Sequence, residues 1–386
     1  MPTTTLDRPP ASAGADTGII RPFAAPDAGA VADLLVRAFQ GTDGPAPAAM
    51  AAYLIELYLD APWFDPELAA RVLVRADGRV VGFIGVSALP MTLDGRPIRT
   101  AVLSSLAVDP RVGDPMIGPR LLRDVRAGPQ DAMLNDRSNP VAVTLLRSLG
   151  AETIRDYGYD WIRSLRPAGF ALEMLASRFG AARLLAPLAR PLDNRALRAA
   201  RAADERRWTA PGRSRSAEAL IDRPAATNEL LELIPKLLER FTLRPDWTAS
   251  ALATVLADAA RKSDLGTYSA RIVGTPDGRP LGLYLMHIQP HRHASVLQLM
   301  STPGREGVVL DRAIAYATEC GAVAIRGRAQ PDFLDALAER RAVLVPQLAT
   351  VVHARDKAVL ETFRNGTAFF TGLAGENWMR LNGDRF

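Results

Sequence analysis

Cysteine is almost absent from this 386-residue chain. Cys320 stands alone, which excludes a disulfide framework and a cysteine metal cage. Histidine is scarce, with four residues. No run of about 18 uninterrupted apolar residues occurs, so no ordinary transmembrane helix is expected. Residues 1–17 lack the basic start and apolar core of a signal peptide. They are rich in Thr, Ala, Pro and Asp and read as a disordered leader. Arginine supplies nearly all the positive charge behind a net +5, a balance that permits an anionic partner without naming one. With 48% hydrophobic and 23% charged residues, the chain has the composition of a soluble globular protein. Its length suits two domains, and the cytoplasm is the default compartment.

Periodicity supplies the elements. Asp27 to Phe39 carries apolar residues at 31, 34, 35 and 38, a helical stripe. Val72 to Val86 reads as a hairpin turning at Asp77-Gly78. Thr100 to Val108 is a third strand, Ile117 to Val125 a helix and Ala132 to Leu134 a short strand. Pro140 to Leu149 is a helix ending at Gly150, and Trp161 to Leu165 is a last strand. The order is β-α-β-β-β-α-β-α-β.

The second half repeats this order. "LVRAF" at 35–39 meets "LLERF" at 237–241. The Asp77-Gly78-Arg79 turn meets Asp277-Gly278-Arg279, and Ser105 to Val108 meets Val296 to Leu299. Three matches in one order at nearly one offset argue for an internal duplication.

The stretch "VDPRVGDPMIGPRLL" joins a strand to a helix through a turn rich in Gly and Pro. Such a turn leaves the first helical N–H groups unpaired, at the positive end of the helix dipole, where phosphate oxygens are favoured. With "IIRPFAAPDAGAVADLLVRAF", "VVGFIGV", "LSSLAVDP" and "NPVAVTLLRSLGA", it makes residues 18–166 resemble the GNAT superfamily of acyl-CoA-dependent N-acyltransferases. The repeat carries the resemblance, more faintly, over 222–355.

The resemblance implies an α/β fold of two tandem domains, each a mixed, mostly antiparallel sheet flanked by helices. It implies acyl-CoA or acetyl-CoA as donor substrate, without a metal. The thioester would lie along Leu106, Ala107 and Val108, and the rest of the donor near Gly113, Gly118, Pro119 and Asn139. The family turn, Arg/Gln-x-x-Gly-x-Gly/Ala, survives here only at Gly118. Asp114 sets a negative charge among the phosphates, Pro115 removes a donor, and the family's late tyrosine falls on Leu146. The second half offers Gly304, Arg305 and Gly307 instead, so both turns stand as candidates for the donor.

Acyl transfer to an amine needs a base and donors for the oxyanion. His287, on a strand, and Glu376, in the apolar tail "FFTGLAGENWMRL", are candidate bases. Asp136 is a candidate to orient substrate or to cap a turn. "HIQPHRH" reads as a strand end and loop rather than a metal site.

Between the domains, over 167–221, lies a connector. Arg163 to Arg215 holds twelve arginines against four acidic residues. Interspersed Phe and Leu make 170–215 a basic amphipathic surface suited to anionic lipid at the inner membrane face. No nucleic-acid module is evident. Residues 356–386 read as a helix and a docked tail. The expected function is N-acyl transfer to a primary amine, with a hydrophobic amine such as a sphingoid base as acceptor, in the manner of a ceramide synthase. Two readings stand beside it: a catalytically degenerate scaffold that binds a lipid or protein, and an acetyltransferase for a small soluble amine. Oligomeric state is not legible.

Overall fold

One Asp-Gly turn lies in each sheet, joining its second and third strands. Gly78 and Gly278 take φ of +85° and +88°, open to glycine and strained for most other residues. The computed structural model describes residues 18–178, 191–193, 195 and 220–386. In the first half β1 (Ile19–Pro22) leads to α1 (Ala28–Gln40) and α2 (Ala48–Tyr58). Then come β2 (Arg71–Val74), the long hairpin β3 (Val80–Leu93) and β4 (Arg96–Val108), and α3 (Ile117–Arg126). β5 (Ala132–Ser138), α4 (Pro140–Ser148), β6 (Glu152–Ile154) and β7 (Tyr159–Ser164) complete the half, and α5 (Pro167–Arg178) follows. Asp193 caps α5, accepting from the N–H groups of Ala168 and Gly169 at 2.8 Å each.

The second half runs through the same order. β8 (Ile221–Pro224), α6 (Thr227–Leu238), a short β9 (Leu243–Pro245) and α7 (Ala249–Ala260) open it. β10 (Thr267–Gly274), β11 (Pro280–Ile288), β12 (His293–Ser301) and α8 (Glu306–Glu319) follow. β13 (Ala324–Arg328), α9 (Leu334–Glu339), β14 (Val343–Pro346), β15 (Ala349–Ala354) and α10 (Lys357–Arg364) end the regular structure.

The sheets do not divide where the sequence repeat divides. The first runs β1-β2-β3-β4-β5-β15-β6, with β9 on β3, and the second runs β14-β7-β13-β12-β11-β10-β8. Each half gives its last strand to the other. β15 fits antiparallel between β5 and β6, with Val352 opposite both Leu134 and Glu152. β7 fits between β13 and β14, with Trp161 opposite Gly327 and Leu344. The strand near 161–165, expected to finish the first domain, therefore finishes the second sheet. Alternation identifies a strand but not the sheet that takes it, and the slot beside the fifth strand is the same in both halves. Both sheets are mixed and mostly antiparallel; β4–β5 and β12–β13 are parallel.

One core joins the halves. α1, α2, α6, α7 and the tail bury Leu34, Tyr53, Ile234, Leu252 and Phe370 in a single cluster between the sheets. A second cluster lies under α8, and a third under α3 and α4. The stripe at 31, 34 and 35 faces the shared core as its spacing predicts. The helix α2 gives no such stripe in sequence, because AAMAAYLIELY is apolar almost all round, yet it buries one face, Met50, Tyr53, Leu54, Leu57 and Tyr58.

A fragment ending at residue 221 would lack β15 and leave β7 unpaired. It is expected to show no cooperative thermal transition by circular dichroism. Co-expressed with 222–386, it should co-purify as a folded complex. A cooperatively folding monomeric fragment would show that the exchange is dispensable.

Candidate active site

In each half the parallel pair of strands opens part-way along. β4 and β5 pair up to Val102 and Leu134 and then part. A bulge opposite Phe83–Gly85 deforms β4 just beyond, where Ser105 takes φ of +50°. β12 and β13 pair up to Val296 and Gly327, and a bulge sits opposite Leu285–Met286. Parted strands turn backbone groups away from the ladder and toward a ligand.

The two openings differ in what fills them. In the second half the Leu299 N–H donates to Gln330 Oε1 at 3.2 Å, and the tail's Leu373 N–H donates to Gln298 Oε1 at 3.0 Å. Gln298, Leu299, Met300 and Ser301 are all buried. Below them Arg240 reaches the Ser301 carbonyl at 3.2 Å and Glu306 at 2.8 Å. Buried Asp332 beside that pair is pushed up to about 6. The protein has plugged this cleft with its own groups. In the first half Ser105, Leu106 and Val108 remain half-buried, so the cleft floor reaches solvent.

The apex of the first cleft is closed by the tail. Asn135 donates from Nδ2 to the Leu103 carbonyl at 2.7 Å and to Glu376 Oε1 at 2.8 Å. The Glu376 N–H donates to Asp136 Oδ1 at 2.9 Å. A Cβ on Gly375 would lie 2.0 Å from Asp136 Oδ2, so only glycine fits there. Both carboxyls are buried, and both are raised. Burial raises Glu376 well above the usual carboxylate value, Asp136 adds to this, and Arg137 partly offsets it. Burial likewise raises Asp136, against Arg328.

Lys262 ties the tail down. Fully buried, it donates to the carbonyls of Met379 and Asn382 at 2.8 Å each. Burial first, then Arg137, pull it down to about 7. Asn382 in turn donates to the Glu376 carbonyl at 2.8 Å. Tyr53 accepts from the Arg380 N–H at 3.0 Å and donates to Asp258 at 2.8 Å. Beside the apex lies a small uncharged pocket lined by Trp63, Trp247, Trp378, Ser87, Val102 and Gly375 among others.

No protein-family model matches the chain, and no curated protein sequence is similar to it. Solved structures are. A GCN5-related N-acetyltransferase from Kribbella flavida superposes with a TM-score of 0.53 at 14% identity, covering 89% of this chain and 72% of that one. One from Anabaena variabilis ATCC 29413 gives 0.55 at 11%, covering 88% and 73%. A conserved protein of unknown function from Enterococcus faecalis V583 gives 0.57 at 12%, covering 90% and 74%. The fold is a tandem GNAT fold.

In the first GNAT unit Gly113 takes φ of +66° with open space around it. Asp114 does not face a ligand freely: its Oδ1 accepts the Met116 N–H at 2.8 Å, just ahead of α3. The first turn of α3 carries N–H groups on Ile117 and Gly118 and none on Pro119. A Cβ on Gly118 would meet only ordinary contacts, 3.7 Å from Leu145 and 3.9 Å from Val108. Asn139 caps α4, accepting from the Ala142 N–H at 2.9 Å. In the second unit Gly304 takes φ of +76°, and Arg305 stands at the N-cap of α8. A Cβ on Gly307 would sit 2.5 Å from the Arg340 guanidinium, which Asp311 holds at 2.6 Å. That glycine makes room for an arginine.

Among the candidate bases, the structure brings Glu376 and Asp136 together and leaves His287 apart. His287 lies buried in the second sheet against Tyr268, ring centroids 5.2 Å apart, and its Nε2 has no hydrogen-bond partner. Burial and then Lys262 hold it down at about 4, so it stays neutral. In "HIQPHRH", His293 pairs with Glu173 at 3.1 Å. Most of the basic stretch 170–215, Arg183 and Arg190 included, lies outside the described residues. No helix among the described residues is long and apolar enough to cross a membrane.

Glu376 bears on stability with a definite sign. Unfolded, it loses its proton near 4.5; folded, it holds that proton to higher pH. Wild type should therefore lose stability relative to Glu376→Gln as pH rises above about 4.5, by up to roughly 1.4 kcal/mol per unit. Paired urea titrations across the pH range check this. A constant difference between the two proteins would mean that Glu376 ionises normally.

Proposed function

We propose that the protein transfers an acyl group from acyl-CoA to a primary amine in the cleft of the first GNAT unit. One observation carries this reading: the first cleft has a solvent-reaching floor at Ser105, Leu106 and Val108, while the second is filled by Gln298, Gln330 and the tail. The Kribbella and Anabaena proteins are described as N-acetyltransferases, which supports the same chemistry here.

Alternation assigns the two sides of the cleft. Ala101, Leu103 and Met133 face the α3–α4 core, and Val102 and Leu134 face the shared core. The donor enters from the α3 side, its pyrophosphate at the Ile117 and Gly118 N–H groups. The amine enters from the pocket on the other face. Its nitrogen bonds to the acyl carbon, the carbon–sulfur bond breaks, and the thiolate leaves and takes a proton. Glu376 accepts the proton that the amine loses. A carboxylate whose proton affinity is raised is, once ionised, the stronger base. Asp136 acts through Glu376, holding its backbone and raising its proton affinity.

The sphingoid acceptor and the anionic membrane contact rest on 170–215 alone and gain nothing from the cleft. A pure scaffold need show no preference for acyl-CoA, so the donor titration separates that reading too. Met116, exposed at the N-cap of α3, provides the variant. Met116→Asp suits a helix N-cap yet sets a charge beside the phosphates. It should weaken acyl-CoA binding about tenfold or more with an unchanged melting temperature. Arg305→Asp, its counterpart, should change affinity less than about twofold. The reverse pattern moves the donor to the second unit, and no acyl-CoA binding at all leaves a scaffold.

Glu376→Gln should lower kcat about a hundredfold. Asp136→Asn should keep activity and shift the acidic limb of the kcat/KM profile to lower pH, because the Asp136 charge helps raise Glu376. An unmoved limb would exclude Glu376 as the base.

A further inference from the structure

Tyr58, the last residue of α2, lies buried against the bulge in β4. Its ring packs edge to face on Phe23 and Phe83, with centroids 6.3 Å and 5.6 Å away. Its hydroxyl shares a hydrogen bond of 2.9 Å with the Ser104 hydroxyl. Burial pushes Tyr58 up to about 12, and the hydroxyls of Ser104 and Ser105 partly offset this. The phenol therefore keeps its proton at neutral pH. Gly85 makes room for the pair, since a Cβ there would overlap both the Tyr58 hydroxyl and Ser104 Oγ.

The register of β4 depends on this corner. Phe83 pairs with Ala107 and Gly85 with Ser104, so Ile84 alone faces both Ser105 and Leu106. The extra residue resets the alternation. Leu103 and Leu106, three positions apart, both face the α3–α4 core, while Val102 and Ala107 face the shared core. Ser105 absorbs the step with φ of +50°, a conformation that a residue with a Cβ keeps only where its surroundings hold it. β5 stops pairing with β4 at Val102, so the displaced backbone lies on the cleft floor.

The second unit is built otherwise. "VGFIGV" at 81–86 matches "LGLYLM" at 281–286, and Leu285, buried in the shared core, stands where Gly85 does. The bulge there runs from Val296 to Gln298, and none of those residues carries a hydroxyl. That is the cleft the chain fills with its own groups. The tyrosine, glycine and serine meet only at the open one.

We propose that Tyr58 is a positioning residue: through Ser104 it pins β4 in the bulged register, which turns backbone N–H groups on the floor of the first cleft toward the carbonyl of the acyl thioester. Such donors steady the charge that develops on that oxygen. A loosened strand would lose the aim and keep the donor's other contacts. Tyr58 itself touches neither substrate. The thioester's part in this rests on the acyl-transfer reading; the pinning of the strand does not.

The full chain, Tyr58→Phe and Ser104→Ala are each titrated with CoA and with acetyl-CoA carrying carbon-13 at its carbonyl. Tyr58→Phe keeps the packed ring and removes only the hydroxyl. CoA has no acyl carbonyl, so its affinity should change less than about twofold. Acetyl-CoA should bind either variant about three- to tenfold more weakly, and the double variant should lose no more than a single one. The infrared band of the bound carbonyl should lie at lower wavenumber in wild type than in either variant. A crystal structure of Tyr58→Phe should show Ser105 at negative φ. Equal losses for CoA and acetyl-CoA would mark a merely structural role and overturn the proposal. So would an unmoved band with Ser105 still at positive φ. If wild type binds no acetyl-CoA, the acyl-transfer reading falls, and the φ of Ser105 in Tyr58→Phe decides by itself whether Tyr58 pins the strand.

Discussion

Each sheet is completed by a strand from the other half, and the rest of the molecule depends on that exchange. β15 sits between β5 and β6, and β7 sits between β13 and β14. These are interior positions, not edges, so neither sheet can close without the other half of the chain. The exchange also carries the chain to where it is needed. Leaving β15 and α10, the backbone emerges beside both clefts. The tail then runs from Gln298 in one to Asp136 in the other within a few residues.

That tail gives two equivalent openings unequal fates. Gly372 and Leu373 stop the second, and Gly375 and Glu376 equip the first. Duplication supplied two clefts of one design, and a single irregular segment differentiates them. The arrangement needs close backbone approach at Gly375, where no side chain would fit against Asp136, and a buried lysine, Lys262, to hold the following turns. The pocket's three tryptophans come from the α2–β2 loop, the β9–α7 loop and the tail, so both halves build one wall.

Much of the frame could be read from residue order. The Asp-Gly turns, the stripe of α1, the strand at 100–108 and the doubled pattern all follow from local rules of spacing and turn chemistry, and they appear in place. What escaped was set by partners distant in the chain. Nothing in "DYGYDWIRSL" distinguishes a strand bound for its own sheet from one bound for the next. α2 lacks polarity contrast because its exposed face is mostly alanine, at 48, 49 and 52. β6 spans only three residues. In the site, Glu376 stood out through its apolar surroundings and Asp136 through its place after a strand. Their meeting, 240 residues apart, could not be read. His287 is a titratable group on a strand, but it is buried against Tyr268 and held neutral. Lys262 went unnoticed, although a lysine in a chain whose positive charge is nearly all arginine was a signal.

The strand exchange also bears on how the protein is made. β6 ends at Ile154 and its neighbour β15 ends at Ala354. A ribosome adding about 5–20 residues per second leaves the first sheet with a gap for roughly 10–40 s. Through that interval β5 and β6 present unsatisfied edges, the kind of surface on which nascent chains pair wrongly with one another. β7 waits equally long for β13 and β14. Synthesis therefore passes through an obligatory stretch in which the first half is largely collapsed yet not closed. Chaperone binding would matter most there, and the second half acts on the first as the strand that ends its exposure.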